Sequence, residues 1–225
     1  MALGLELRRA LDLGRRGGPL ILILELVGTL AFAASGAMTA LKKGMDLFGV
    51  CILGLTTAVG GGVIRDVILG ATPPATFQSP IYAVVALITS AVLFWPRLRQ
   101  LFMWDPALYD LAMLVMDSAG LGIFTVMGIR IAYAQVDRPG WFLLVFVGVV
   151  TGVGGGVLRD VLAGDTPYIF VKHIYACASL AGALVCTALW RPAGELPAML
   201  AGAGTVLAIR FLSAHFHWNL PHADD

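Results

Sequence analysis

Gly60-Gly61-Gly62-Val63-Ile64-Arg65-Asp66-Val67-Ile68 is written a second time as Gly154-Gly155-Gly156-Val157-Leu158-Arg159-Asp160-Val161-Leu162. Each copy runs into a Gly-x-Thr-Pro turn, Gly70 to Pro73 and Gly164 to Pro167. The spacing is 94 residues (154 − 60) in a chain of 225, so two halves share one plan. Each of three consecutive glycines weakens a helix by about 1 kcal/mol relative to alanine. Arginine and aspartate inside a bilayer are costly as well. A sequence that incurs both penalties twice keeps the phrase for function.

The bilayer assignment follows from composition. Hydrophobic residues make up 59% of the chain and charged residues 13%, and the mean hydropathy is +0.87, above the range of soluble domains. A spanning helix needs about 20 mostly apolar residues. Seven segments are candidates: residues 19–41, 47–69, 80–95, 107–129, 141–162, 173–190 and 196–214. Short links such as Lys42-Lys43-Gly44 separate them, leaving a single membrane domain over residues 1–225. Trp95, Trp104, Trp141, Trp190 and Trp218 fall at span ends, as interfacial anchors do. The first span imitates a signal peptide, with Arg15-Arg16 ahead of an apolar run and a small-residue stretch at Ala33 to Ala37. It also carries Glu25 and has a counterpart around Ser118-Ala119-Gly120, so it reads as a retained helix.

Several function classes drop out. A net charge of +1 argues against a nucleic-acid or polyacidic partner. Cys51, Cys177 and Cys186 lie in apolar segments without a Cys-x-x-Cys spacing and read as buried free thiols. His215, His217 and His222, with Asp224 and Asp225, have metal-like spacing but read as a solvated tail, and Lys172 and His173 as a snorkelling span end. No metal and no other cofactor is expected. The glycines lack the preceding strand and the lysine of nucleotide loops. No nucleophile has a neighbouring base, so an enzyme is not expected.

The glycine phrase falls on spans two and five, so the repeat unit is three helices. Repeat one covers about 19–96, repeat two about 107–190, and a seventh helix at about 196–214 has no counterpart and is expected to pack outside the pair. Three is odd, so the second unit enters the membrane inverted, a recurring plan in transporters and channels. The expected fold is thus an all-α integral membrane protein of two inverted three-helix repeats plus one helix. Orientation is undetermined: seven Lys or Arg (Arg8, Arg9, Arg15, Arg16, Arg130, Arg138, Arg191) face six (Lys42, Lys43, Arg97, Arg99, Lys172, Arg210).

Glycines Gly60 to Gly62 and Gly154 to Gly156 admit two readings: close packing of two backbones, or a kinked, locally unwound helix lining a wet path. Arg65 and Asp66 are neighbours in sequence and do not share a helix face. By depth, Glu25 is expected to pair with Arg65, and Asp110 with Arg159. Asp66 and Asp160 are then left to cap turns or face vestibules. Asp117, near the centre of span four, is either a functional carboxylate or a hydrogen-bonded packing group. Ser35, Thr56, Thr57, Ser118 and Thr151 extend the polar line, although hydroxyls in helices often bond back to their own backbone.

The doubled Gly-Gly-Gly-h-h-Arg-Asp phrase (h apolar), its Gly-x-Thr-Pro follow-up and the Ser35-Gly36-Ala37 stretch closely resemble the prokaryotic branch of the trimeric intracellular cation (TRIC) channel family. The resemblance covers nearly the whole chain. It implies homotrimers in a bacterial inner membrane, each subunit carrying its own potassium- and sodium-conducting pore lined by kinked spans two and five. The Lys-Glu-Val stretch of animal members is absent. Prokaryotic relatives also bear a glycine-transporter label, so a secondary transporter for a small zwitterion stands as the alternative.

Overall fold

A computed structural model describes residues 18–171 and 174–218, and the regular elements among them are all α-helices. In chain order these are α1 (Gly18–Lys42), α2 (Leu47–Ile68), the single turn α3 (Ala75–Gln78), α4 (Ile81–Phe94), α5 (Pro96–Trp104), α6 (Pro106–Gln135), α7 (Trp141–Leu162), the single turn α8 (Tyr168–Val171), α9 (Ile174–Ala193) and α10 (Glu195–His215). Six of them, α1, α2, α6, α7, α9 and α10, are long and apolar enough to cross a membrane. The third expected span, α4, is apolar but only 14 residues long, about 21 Å of helix against a hydrocarbon core of about 30 Å. It stops where it does because the residue before Pro96 is biased away from helical angles.

Helix ends follow local chemistry. The Asp46 carboxylate accepts from Gly49 N at 2.8 Å and opens α2; Asp105 accepts from Ala107 N at 2.9 Å and opens α6, with Pro106 at the first helical position. Both α2 and α7 terminate at a glycine of φ +73°, Gly70 and Gly164, a left-handed turn that glycine adopts without strain. The repeated turn phrase is therefore a repeated stop.

The glycine triplets are where α2 and α7 meet. A Cβ on Gly61 would collide with the Thr151 carbonyl, and one on Gly155 with the Thr57 carbonyl. Contacts that rise along one helix descend along the other, so the pair crosses antiparallel with backbones nearly touching. Both helices stay α-helical through the triplets. Local unwinding is thus corrected: the amides and carbonyls remain in their own helix, and the glycines serve close approach.

The last helix, α10, lies against one repeat. It packs on α9 and α6 of the second repeat, with a Gly202 Cβ position 2.8 Å from the Gly182 carbonyl oxygen. The outer surface is apolar, with Phe48, Ile88 and Phe142 outward as lipid-facing groups are. Cys186 is buried, Cys51 half-buried and Cys177 exposed, so the expectation of three buried thiols holds only in part. Trp95, Trp104, Trp141 and Trp218 are exposed, while Trp190 stacks on Tyr133 at 4.7 Å. Residues 172, 173 and 222–225 lie outside the described residues, as do the four N-terminal arginines.

Candidate functional site

The end of the molecule at which α7 stops holds a buried cluster of charged side chains. Arg159 has no solvent exposure. Its Nη1 donates to Asp117 Oδ1 at 2.6 Å and to Ser35 Oγ, and its Nε donates to Asp160 Oδ1 at 2.8 Å. Tyr175 Oη donates to the same Asp117 oxygen at 3.4 Å. The second Asp160 oxygen accepts from Tyr168 N at 2.8 Å, pinning the turn after α7, and the Tyr168 ring lies 4.9 Å from the guanidinium carbon. Burial pushes the Tyr168 phenol above its ordinary range, so it covers the arginine as a neutral ring. From α10, Arg210 Nε donates to Ser118 Oγ at 3.3 Å, and its Nη2 stands 3.9 Å from Asp117 Oδ2. Two arginines and two aspartates thus form a formally neutral cluster tying α1, α6, α7, α9 and α10 together.

The opposite end, where α2 stops, holds matching groups around an open space. Arg65 Nε donates to Asp66 Oδ1 at 2.8 Å, and Asp66 Oδ2 accepts from Ala75 N at 2.8 Å. Tyr82 Oη donates to Glu25 Oε2. A cavity of about 230 Å³ is lined by Glu25, Thr29, Gly62, Arg65, Gln78, Tyr82 and Arg130 among others. Arg130 is itself paired with Glu195 at 2.7 Å. Glu25 has no cation within ion-pair distance among the described residues.

Two expected pairs are corrected. Glu25 is not in ion-pair contact with Arg65: both line the 230 Å³ cavity, and Tyr82 hydrogen-bonds the carboxylate. Asp110 is exposed near the start of α6, and Arg159 pairs instead with Asp117, two helical turns deeper. Sequence neighbours Arg65–Asp66 and Arg159–Asp160 do pair, because a long arginine side chain folds back at a helix terminus where no further turn obstructs it. Ser35 and Ser118 join the buried cluster. Thr57 and Thr151 bond back to Leu53 O and Val147 O, both at 2.6 Å, and Thr56 is half-buried beside Gly60.

Tyr82 and Tyr175 escaped the sequence reading, and Arg130 and Arg210 entered it only as span-end charges. A signal for the tyrosines existed: Ile81-Tyr82-Ala83 recurs as Ile174-Tyr175-Ala176. The same alignment sets Glu25, Gly28, Phe32 and Gly36 against Asp117, Gly120, Phe124 and Gly128, 92 residues on (117 − 25). Acid, arginine and tyrosine therefore recur as a triad, drawn together in the second repeat and spread around a cavity in the first.

Buried charges at both ends of a glycine-packed helix pair, inside an apolar shell, define a multi-pass membrane protein built for transport. A family model described as glycine transporter matches the chain twice, over residues 22–97 and 114–191, and the chain belongs to that family. The inner membrane protein YadS (UPF0126) of Escherichia coli K12 is 38% identical over 206 residues, 90% of this chain and 95% of that protein. The UPF0126 membrane protein YvgT of Bacillus subtilis is 32% identical over 203 residues, covering 89% of this chain and 95% of the relative. Among solved structures, a TRIC cation channel is 35% identical with a TM-score of 0.77, covering 89% of this chain and 95% of its own. The TRIC orthologue from Rhodobacter sphaeroides is 31% identical with a TM-score of 0.80, covering 89% of this chain and all of its own. The TRIC resemblance read from the sequence is borne out, and so is the multi-pass bacterial membrane location.

Proposed function

We propose that the chain is a channel for monovalent cations, potassium and sodium, assembled as a homotrimer with one path in each subunit. The path follows the crossing of α2 and α7, which bend at Gly60 to Gly62 and Gly154 to Gly156. The seven membrane helices are α1, α2, α4, α6, α7, α9 and α10, the first six forming two inverted repeats. Antiparallel packing of α2 on α7 supports the inversion, and the TRIC structure neighbours support both the channel and the trimer.

One observation carries the sign of the permeant ion. In the cavity beside α2, both arginines are ion-paired with other carboxylates, Asp66 and Glu195, while Glu25 is hydrogen-bonded to the neutral Tyr82. Glu25 sets a carboxylate in the cavity lining, and Asp66 and Glu195 offset the two lining arginines, so the group as a whole carries one negative charge when Glu25 is ionised. A single carboxylate also binds weakly enough for the ion to leave, as conduction requires. In this reading the Arg159–Asp117 cluster acts as the closure at the other end.

The second reading is a secondary transporter for a small zwitterion such as glycine. It draws on the family model's description and on Arg130, which lines the cavity with its side chain 17% exposed and offers a guanidinium to a carboxylate. Purified protein in planar bilayers under a potassium gradient decides between them. Unitary currents reversing near the potassium potential are expected. Saturable, ion-coupled glycine uptake without unitary current would establish the transporter instead.

A further inference from the structure

We propose that Arg210 is a replacement counter-ion for Asp117, taking over the carboxylate when Arg159 releases it as the closed end opens. The inference rests on the channel reading above and adds a role for α10, the one spanning helix without a counterpart in the repeat.

Asp117 is fully buried, and its two oxygens are treated differently. Oδ1 takes Arg159 at 2.6 Å and Tyr175 at 3.4 Å. Oδ2 has no hydrogen-bond partner and faces Arg210 Nη2 at 3.9 Å. One carboxylate therefore lies between two guanidinium groups from different helices and is hydrogen-bonded to only one of them.

Arg210 is placed to complete the second contact. It is 5% exposed and held by Ser118 at 3.3 Å, and its guanidinium carbon lies 4.9 Å from the Tyr175 ring centre. No carboxylate lies within hydrogen-bond distance of it among the described residues. An advance of about 1 Å brings Nη2 to bonding distance from Oδ2. Arg159, by contrast, is shared: Asp160 holds its Nε whatever Asp117 does.

The physical need is clear. Withdrawing Arg159 leaves Asp117 with no hydrogen-bonded cation in a low-dielectric core, its remaining counter-charge being Arg210 at 3.9 Å. If Arg210 closes on Oδ2 as Arg159 leaves Oδ1, partners are exchanged rather than lost. Arg159 then keeps Asp160, Arg210 gains Asp117, and the cluster remains neutral throughout. The first repeat assembles similar parts, since Glu25 shares its cavity with Arg65 and with Arg130 from another helix.

The test is single-channel recording of the full-length protein in planar bilayers, comparing the unsubstituted chain with R210Q, R210K, D117N and D117N/R210Q. R210Q should lower open probability about tenfold at unchanged unitary conductance, and R210K should recover most of that loss because it keeps the charge. In the D117N background R210Q should change open probability by less than about twofold, since a neutral side chain needs no counter-ion. Unchanged gating in R210Q, or the same fold-loss in both backgrounds, would overturn the proposal. A fall in unitary conductance would also do so, by placing Arg210 in the ion path. Absence of current from the unsubstituted protein would overturn the channel reading alone. In that event, melting temperatures of the same proteins read the coupling directly: non-additive shifts support the Asp117–Arg210 link, and additive shifts refute it.

Discussion

Arg159 and Asp117 meet at 2.6 Å with essentially no exposure of either side chain, joining α7 to α6 at the end of the molecule where α7 stops. Removing one partner of a buried ion pair is costly because the other charge stays behind. Asp117→Asn should therefore lower stability by about 3 kcal/mol, the low end of that range because Asp160 still holds Arg159. The same change should raise open probability. Thermal melting in detergent and bilayer recording on one preparation check the two effects together.

Neighbouring glycines of one triplet should behave oppositely. Gly61→Ala drives a methyl into the Thr151 backbone and should cost about 1–3 kcal/mol. Gly62→Ala meets nothing nearer than the Arg65 guanidinium at 3.6 Å, and should gain up to about 1 kcal/mol in helix propensity. Comparative melting measures the difference. Equal effects at the two positions would mean that the α2–α7 contact does not depend on glycine.

Glu25→Gln removes the carboxyl of the cavity while keeping a group that Tyr82 can bond. Cation over anion preference should fall by about tenfold if this charge sets selectivity, the size of a 1.4 kcal/mol change. Reversal potentials in a potassium chloride gradient read the result. An unaltered reversal potential would remove Glu25 from the path.

Lys43 pairs with Asp165 across the loops after α1 and α7, with side chains 37% and 42% exposed. Such a pair contributes at most about 1 kcal/mol and weakens with salt. Lys43→Ala should therefore shift melting only slightly at low ionic strength and not at all in high salt. A large, salt-insensitive shift would mark this contact as part of the closing apparatus.

The fold was legible in the sequence to a considerable depth. Hydropathy identified the spanning segments apart from the shortness of α4, and the 94-residue repeat located the two helices that cross. The turn glycines Gly70 and Gly164 announced where those helices end. These are properties of composition and local backbone preference, and they survive without knowing what packs on what. The charged pairs did not. Depth reasoning chose Asp110 over Asp117, and Glu25 over Asp66, although the Glu25–Asp117 correspondence lay in the chain as the shared spacing of Gly28, Phe32 and Gly36 to their second copies.

The sequence by itself determined a helical, bilayer-embedded, duplicated protein, because hydrophobic period and repetition are written residue by residue, and its doubled phrase carried the resemblance to the TRIC family. Tertiary structure decided which acid meets which arginine, that the first repeat's triad is open and the second's closed, and that α10 reaches into the core with Arg210. The reason is one of scale. Span counting locates a side chain to within about a helical turn, roughly 5 Å, whereas an ion pair is made or lost within about 4 Å and depends on which way the helix is rotated.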